Sequence, residues 1–275
     1  MKIMCDLCPK HCVLNDGQVG FCLGRKNDGN QIIAENYGRV TSIALDPIEK
    51  KPLYMFFPRN MVLSIGSYGC NLKCPFCQNH TISQIGSKNI ESMYVSPEEL
   101  IKKAIELIPR GNIGIAYTYN EPLIGYEYIL DCSKLAKQYH LKNILVTNGT
   151  ITKKYLENLL PYIDAMNIDL KGFTEDFYKT LCGDLKTVMN TIELSYKKTH
   201  IELTKLIIPT MNDDIEDMEN MCEWIKSLSE NIPLHISRFF PRYKMQNYEP
   251  TPIKLIYELS NIAKKYLKNV FVGNC

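Results

Sequence analysis

Apolar and polar positions change rhythm along this chain in a regular way. From residue 61 onward, short runs rich in Ile, Val and Leu alternate with longer stretches whose apolar residues recur every three or four positions. The first rhythm predicts strands and the second predicts amphipathic helices. "MVLSIG" (61–66), "IGIAYTY" (113–119), "NILVTN" (143–148), "AMNIDLK" (165–171), "IELTKLII" (201–208) and "PLHISRFF" (233–240) read as strands, followed by a short "NVFVG" (269–273). Helices are predicted over 96–108, 126–140, 152–163, 215–229 and 253–267, with a helical region over 174–198 that Gly183 interrupts. Ser96 is a candidate N-cap, with Pro97 at the first helical position and Glu99 three residues on.

Six strand–helix units in succession predict an α/β fold with a parallel sheet and right-handed crossovers. A doubly wound sheet and a barrel both satisfy the pattern. Polar residues decide between them. Asn120 with Glu121, Asn148, Asp169 with Lys171, and Arg238 fall at the ends of several different strands. A barrel collects its site from many strand ends, whereas a doubly wound sheet concentrates contacts near one switch point. The expected architecture is therefore a partial (β/α)6 barrel over residues 61–275. Residues 1–60 break the rhythm and hold four cysteines, several glycines and the strand-like pieces "QIIAENYG" and "RVTSIAL". A small N-terminal cysteine-rich module is expected there.

At 275 residues the chain buries a substantial core. Charged residues make up 23% with a net charge of +2, so no strong nucleic-acid signal is present. The apolar runs are too short to span a bilayer. Cys5 and Asp6 interrupt the start, so no secretory leader is expected and a cytoplasmic protein is the simplest reading. In a reducing compartment, eleven cysteines point to metal rather than disulfides. Seven lie in two clusters before residue 78. Cys132 and Cys222 fall in helical stretches and read as small buried hydrophobes. Cys182 and Cys275 carry no assignment.

The second cluster, in "GCNLKCPFCQNH", places Cys70, Cys74 and Cys77 on one short loop after the first strand of the barrel. Two metal sites suit three such thiols. One is a tetrahedral zinc with His80 as fourth ligand. The other is a [4Fe–4S] cluster with three irons held by cysteine and the fourth open to an exchangeable ligand.

The spacing Cys70-x3-Cys74-x2-Cys77, with Phe76 as its aromatic position, resembles the signature of radical S-adenosylmethionine enzymes. The likeness extends over essentially the whole chain. "CDLCPKHCVLNDGQVGFC", "IAYTYNEPLI", "VTNG", "NIDLKGF", "LIIPTMND" and "HISRFFPRYKM" resemble the radical enzyme of the AmmeMemoRadiSam group and, more broadly, pyruvate formate-lyase-activating enzymes. That family often continues past "VGN" into a cysteine-bearing tail, whereas this sequence ends at Cys275.

The resemblance implies a [4Fe–4S] cluster that reductively cleaves S-adenosylmethionine to a 5′-deoxyadenosyl radical, which abstracts hydrogen from a substrate. It implies Cys70, Cys74 and Cys77 as cluster ligands and Phe76 beside them. Asn120 and Glu121 stand in the segment that contacts the cofactor ammonium, where the family has a Gly-Gly-Glu type of sequence and this chain has Tyr-Asn-Glu. Asn148, Asp169 and Lys171 match the ribose and carboxylate contacts, and His235 matches a histidine that contacts the carboxylate. On the residues alone, Asp169 and Lys171 share one face of a strand and could equally form an ion pair at the barrel mouth. His235, alone in an apolar strand, could equally be a satisfied core residue. Arg238 could bind an anion or pair with an acid.

Cys5, Cys8, Cys12 and Cys22 form a C-x2-C-x3-C-x9-C set that could close a metal site without outside help. Zinc and an iron–sulfur cluster both accept four thiolates. The likeness to activating enzymes implies a protein or peptide substrate and a flavodoxin- or ferredoxin-type electron donor. Radical modification of a small molecule or RNA, or a non-catalytic iron–sulfur redox sensor, are the alternatives. A sensor would not need a pocket for an ammonium, a ribose and a carboxylate.

Overall fold

The computed structural model describes all 275 residues. Its centre is one eight-stranded sheet: β1 (Ser42–Pro47), β2 (Met61–Gly66), β3 (Asn112–Tyr117), β4 (Lys142–Thr147), β5 (Ala165–Asp169), β6 (His200–Ile207), β7 (Leu234–Arg238) and β8 (Val270–Gly273). The strands lie side by side in strict chain order. All neighbours from β2 to β8 are parallel, and β1 pairs antiparallel with β2. A doubly wound sheet would reverse its order at a switch point. This one never does, so the sheet winds in one direction as an incomplete barrel.

The crossover helices are α1 (Pro97–Glu106), α2 (Tyr126–Gln138), α3 (Lys153–Leu159), α4 (Glu175–Thr180) with α5 (Leu185–Tyr196), α6 (Ile215–Leu228) and α7 (Ile253–Ala263). Their starts follow from local chemistry. Ser96 and Glu99 close a capping box: the Ser96 hydroxyl accepts from the Glu99 amide, and the Glu99 carboxylate accepts from the Ser96 amide. Thr174, Asp184 and Asp214 cap α4, α5 and α6 in the same position. The helical region 174–198 breaks after Leu181, where Cys182 takes a left-handed φ of 55° just before Gly183.

The strands are less uniformly apolar than their sequence suggests, and the alternation sorts the two kinds of residue. Register pairs Ala165, Asn167 and Asp169 with His200, Glu202 and Thr204, and Thr204 with His235. These residues share one face. The opposite face carries Met166, Ile168, Ile201, Leu203, Leu234 and Ile236, all buried in the main core with the helices. Small and polar residues therefore line the inside of the barrel, and large aliphatic ones hold the helices on.

The N-terminal stretch does not stop short of the barrel. It supplies β1, and after it the segment 48–55 plugs the barrel floor. Ile48 and Leu53 are fully buried against Val62, Ala116, Ile144 and Ala165 in a second apolar cluster. The Pro52 carbonyl accepts from Asn167 Nδ2 at 2.9 Å. Upstream, two small antiparallel ribbons, Ile3–Met4 with Val13–Leu14 and Arg25–Asn27 with Ile32–Ala34, carry the first four cysteines.

Candidate active site

A cleft of about 280 Å³ opens at the carboxyl ends of the strands, near the small end of the range for small-molecule sites. Cys70, Cys74, Phe76 and Cys77 form one wall. Asn120, Glu121, Asn148, Asp169 and Lys171 form the other, with Thr204, Ser237 and Asn274. Nine of the residues singled out from the sequence thus meet in one space, brought there by a loop and three strand ends. All three cysteines are free thiols.

Several of these side chains are committed to holding the cleft together. Asn120 Oδ1 accepts from the Ser67 amide at 2.9 Å, and its Nδ2 donates to the Tyr68 and Gly69 carbonyls, each at 3.1 Å. It thereby anchors the backbone just before Cys70. Glu121 accepts from the Leu123 amide at 3.0 Å, the Thr147 hydroxyl at 2.7 Å and the Asn148 amide at 2.8 Å. Burial raises its pKa to about 7 against the pull of those donors. Asn148 Nδ2 donates to Asn71 Oδ1 at 3.0 Å and points at Cys70 Sγ, 3.6 Å away. Asn120 and Glu121 are thus staples between strand ends and the cysteine loop.

Tyr119 explains how this segment works without its glycines. Its φ is +71°, a conformation glycine adopts freely and tyrosine does not. The Tyr119 hydroxyl donates to Asp46 at 2.7 Å, and Lys51 sits 4.7 Å over its ring while pairing with Asp46 at 2.8 Å. The Asn79 side chain donates to its carbonyl at 2.7 Å. These contacts hold a conformation that costs on the order of 1–3 kcal/mol. Burial opposes ionisation of Asp46, but the Lys51 and Tyr119 hydrogen bonds overcome it and keep the carboxylate charged.

Asp169 and Lys171 both reach the cleft and pair with each other at 2.7 Å. Burial works against the Lys171 charge, yet Asp169 beside it holds it above the ordinary lysine value. Burial also raises the Cys70 thiol and takes Cys74 to about 11. Without a cation these sulfurs stay protonated, and binding iron would release the protons.

Three candidates lie elsewhere. His235 is inward-facing but one layer below the cleft, where its Nε2 meets Glu202 at 2.6 Å and its ring packs on Tyr54 and Phe271. It is a satisfied core histidine here, because its depth along β7 puts the Glu202 carboxylate, not the cleft, beside its ring. His80 stacks on Tyr243 at 4.5 Å, with Nδ1 3.2 Å from the Cys77 carbonyl oxygen. Arg238 donates to the Thr251 carbonyl at 2.7 Å and covers Phe240. No three Cys, His, Asp or Glu side chains converge on a single-ion site, so the loop with His80 does not have the form of a zinc tetrahedron. A four-iron cube sets a different requirement, since each thiolate binds its own iron.

Sequence reasoning missed Asn71, Thr147, Thr204 and Ser237. Asn71 sits inside the cysteine loop, and its Nδ2 donates to the Thr150 carbonyl at 2.7 Å. The signal for it was Asn148 in "VTNG", since a buried amide demands a polar partner. Cys132 and Cys222 are fully buried in α2 and α6, as their helical context predicts.

A parallel, singly wound sheet with three cysteines and a polar cleft at its strand ends defines a class, and comparison with known proteins bears this out. Residues 64–225 match the family model of the radical SAM superfamily. The chain is 42% identical to an uncharacterized protein of Methanocaldococcus jannaschii over 99% of its length and 81% of that protein's. It is 26% identical to the pyruvate formate-lyase-activating enzyme of Clostridium pasteurianum over 61% of this chain and 72% of that enzyme. Among solved structures, Streptococcus suis SuiB bound to precursor peptide SuiA is similar in fold, with a TM-score of 0.56 at 12% identity, covering 83% of this chain and 51% of SuiB. The chain belongs to the radical S-adenosylmethionine superfamily and is an enzyme of that class with activating-enzyme relatives. Membership implies a [4Fe–4S] cluster and S-adenosylmethionine as cofactors. No helix is long and apolar enough to cross a membrane.

Proposed function

We propose that the chain is a cytoplasmic enzyme that generates a radical on a protein or peptide. Cys70, Cys74 and Cys77 would hold the cluster, and Asn148, Asp169 and Lys171 would meet S-adenosylmethionine. The cleft carries this reading: three free thiols face, across one small space, the acceptors and the ammonium that a ribose diol and a carboxylate require. Once bound by these residues, the cluster would supply the one-electron reducing chemistry toward S-adenosylmethionine that this superfamily uses to abstract hydrogen.

The chain's own residues have separable tasks. Asn120 fixes the backbone of the cysteine loop, Glu121 locks the β3 and β4 ends together, and Asp169 keeps Lys171 charged. Phe76 is buried and shields the loop from water. The macromolecular substrate is supported by the activating-enzyme relative and by the peptide-bound fold neighbour. An electron donor of the flavodoxin or ferredoxin type completes the reading.

The test is anaerobic reconstitution with iron and sulfide, reduction, and measurement of 5′-deoxyadenosine alongside mass analysis of candidate partner proteins. The intact chain should form 5′-deoxyadenosine and leave a modified or cleaved partner. Cys74→Ala should form none. 5′-Deoxyadenosine at the parental rate from Cys74→Ala would refute the ligand assignment, and turnover only with small molecules or RNA would refute the protein substrate.

A further inference from the structure

The four N-terminal cysteines lie outside the cleft and have no part in it, yet they are built against it. The ribbon Ile3–Met4 with Val13–Leu14 brings two of them together, with the Cys5 amide donating to the Cys12 carbonyl at 2.9 Å. A turn between Gly20 and Arg25 adds Cys22, and all four line one small enclosed cavity with Leu7, Phe21, Arg25, Asn71 and others. Cys5, Cys8 and Cys22 are buried, and they make up a large part of what little core this module has. The module buries few aliphatic side chains of its own, and a bound metal would cross-link it. It has no disulfide.

Two contacts join this cavity to the barrel loop. The Cys70 amide donates to the Cys22 carbonyl at 2.9 Å. Gly69, with φ of +85°, makes that approach possible, since a Cβ there would stand 2.4 Å from the Cys22 carbonyl oxygen. Asn71 forms the second contact. It lines the N-terminal cavity together with Cys8 and accepts from Asn148, which in turn points at Cys70. Arg25, buried in the same cavity wall, pairs with Glu127 and leaves its Nε without a partner. It is a cation available to a group of net negative charge.

We propose that Cys5, Cys8, Cys12 and Cys22 bind a second iron–sulfur cluster, coupled to the barrel cluster through the Cys22 carbonyl and the Cys70 amide. Zinc is the other four-thiolate solution, and the metal count below separates the two. A carbonyl-to-amide bridge between ligand residues gives the N-terminal cluster the role of an entry port for a single electron from a low-potential donor of the ferredoxin or flavodoxin class. The donor is oxidised by one electron and the cluster pair reduced by one, with no bond broken and no proton moved.

The inference rests on the proposed function only for the identity of the barrel cluster. The experiment measures iron, zinc and the electron paramagnetic resonance of the dithionite-reduced full chain. The wild type should hold about eight irons, and the Cys70→Ala/Cys74→Ala/Cys77→Ala and Cys5→Ser/Cys8→Ser variants about four each. The reduced wild-type spectrum should be broadened relative to the sum of the two variants' spectra, and Gly69→Ala should narrow it while keeping both clusters. About one zinc per chain in place of the second four irons would overturn the inference. So would a wild-type spectrum equal to that sum. If the triple variant fails to fold, iron in the Cys5→Ser/Cys8→Ser chain decides: a full complement overturns the site and half supports it. Failure of the protein-substrate assay leaves these readouts untouched, so the two proposals fail separately.

Discussion

The inside of the barrel has two polar layers, and they behave differently. The lower layer holds Asn167, His200, Glu202 and His235. The upper layer holds Asn148, Asp169, Thr204 and Ser237. Both face inward from the same strands by the same alternation. In the lower layer every demanding group is answered by a fixed part of the chain. Glu202 accepts from the Tyr54 amide at 3.0 Å, the Met55 amide at 2.8 Å and both histidines. In the upper layer, Asp169 answers only Lys171, and the remaining space is empty of protein. Two residues of strand length separate a structural polar cluster from a binding one. A polar side chain inside a barrel becomes available to a ligand when no segment of the chain has been folded over it.

The largest effect that would sharpen this contrast is Glu202→Ala. It strips a carboxylate from two histidines and two amides, and should cost about 3–5 kcal/mol of stability, read as a lower urea midpoint, with S-adenosylmethionine affinity unchanged in the folded fraction. His235→Ala should act in the same direction by a smaller amount. A loss of cofactor affinity in His235→Ala without loss of stability would return His235 to the cleft and break the comparison.

Acid should reach the lower layer next. Burial opposes the Glu202 charge, but His200, His235 and the two amides outweigh it and lower its pKa to about 2 from 4.5. A depressed carboxylate stabilises fully above the unfolded value and loses that contribution as pH falls through the folded one. The chain should therefore lose roughly 3 kcal/mol between about pH 4.5 and 2 from this group, and Glu202→Gln should flatten that part of the stability curve.

The upper layer should respond in the opposite currency. Asp169→Ala and Lys171→Ala should each weaken S-adenosylmethionine binding by roughly 1–3 kcal/mol, measured by calorimetry on the reconstituted protein, with iron content unchanged. An unchanged affinity with a lowered melting temperature would make them a mouth ion pair and nothing more. The smallest effect belongs to Tyr119→Phe, which removes the hydrogen bond to Asp46 and should cost about 1 kcal/mol of stability.

The strands and helices were legible because their rhythms are strong and their caps explicit. The cysteine loop was legible because three thiols at that spacing have few other uses. What the sequence hid was depth and commitment. His235 and Asp169 look alike on paper, since alternation tells which face a residue takes and not how far along the barrel it lies. Asn120 and Glu121 looked like free ligands of a cofactor because their partners, Ser67 and Thr147, are brought close only by the fold. "RVTSIAL" was visible as a strand-like piece but not as the antiparallel neighbour of β2, because nothing in an isolated strand names its partner. Tyr119 in place of a glycine looked like a departure, and its left-handed backbone became explicable only with Asp46 and Lys51 beside it.

An incomplete barrel leaves two strand edges unpaired, and such edges invite other chains to add on and precipitate. Here each edge is a poor template. The β1 edge ends in Pro47, which has no amide hydrogen to offer, and carries the buried, charged Asp46 just before it. The β8 edge is only four residues long. Neither free edge of the sheet is thus a ready seam for aggregation.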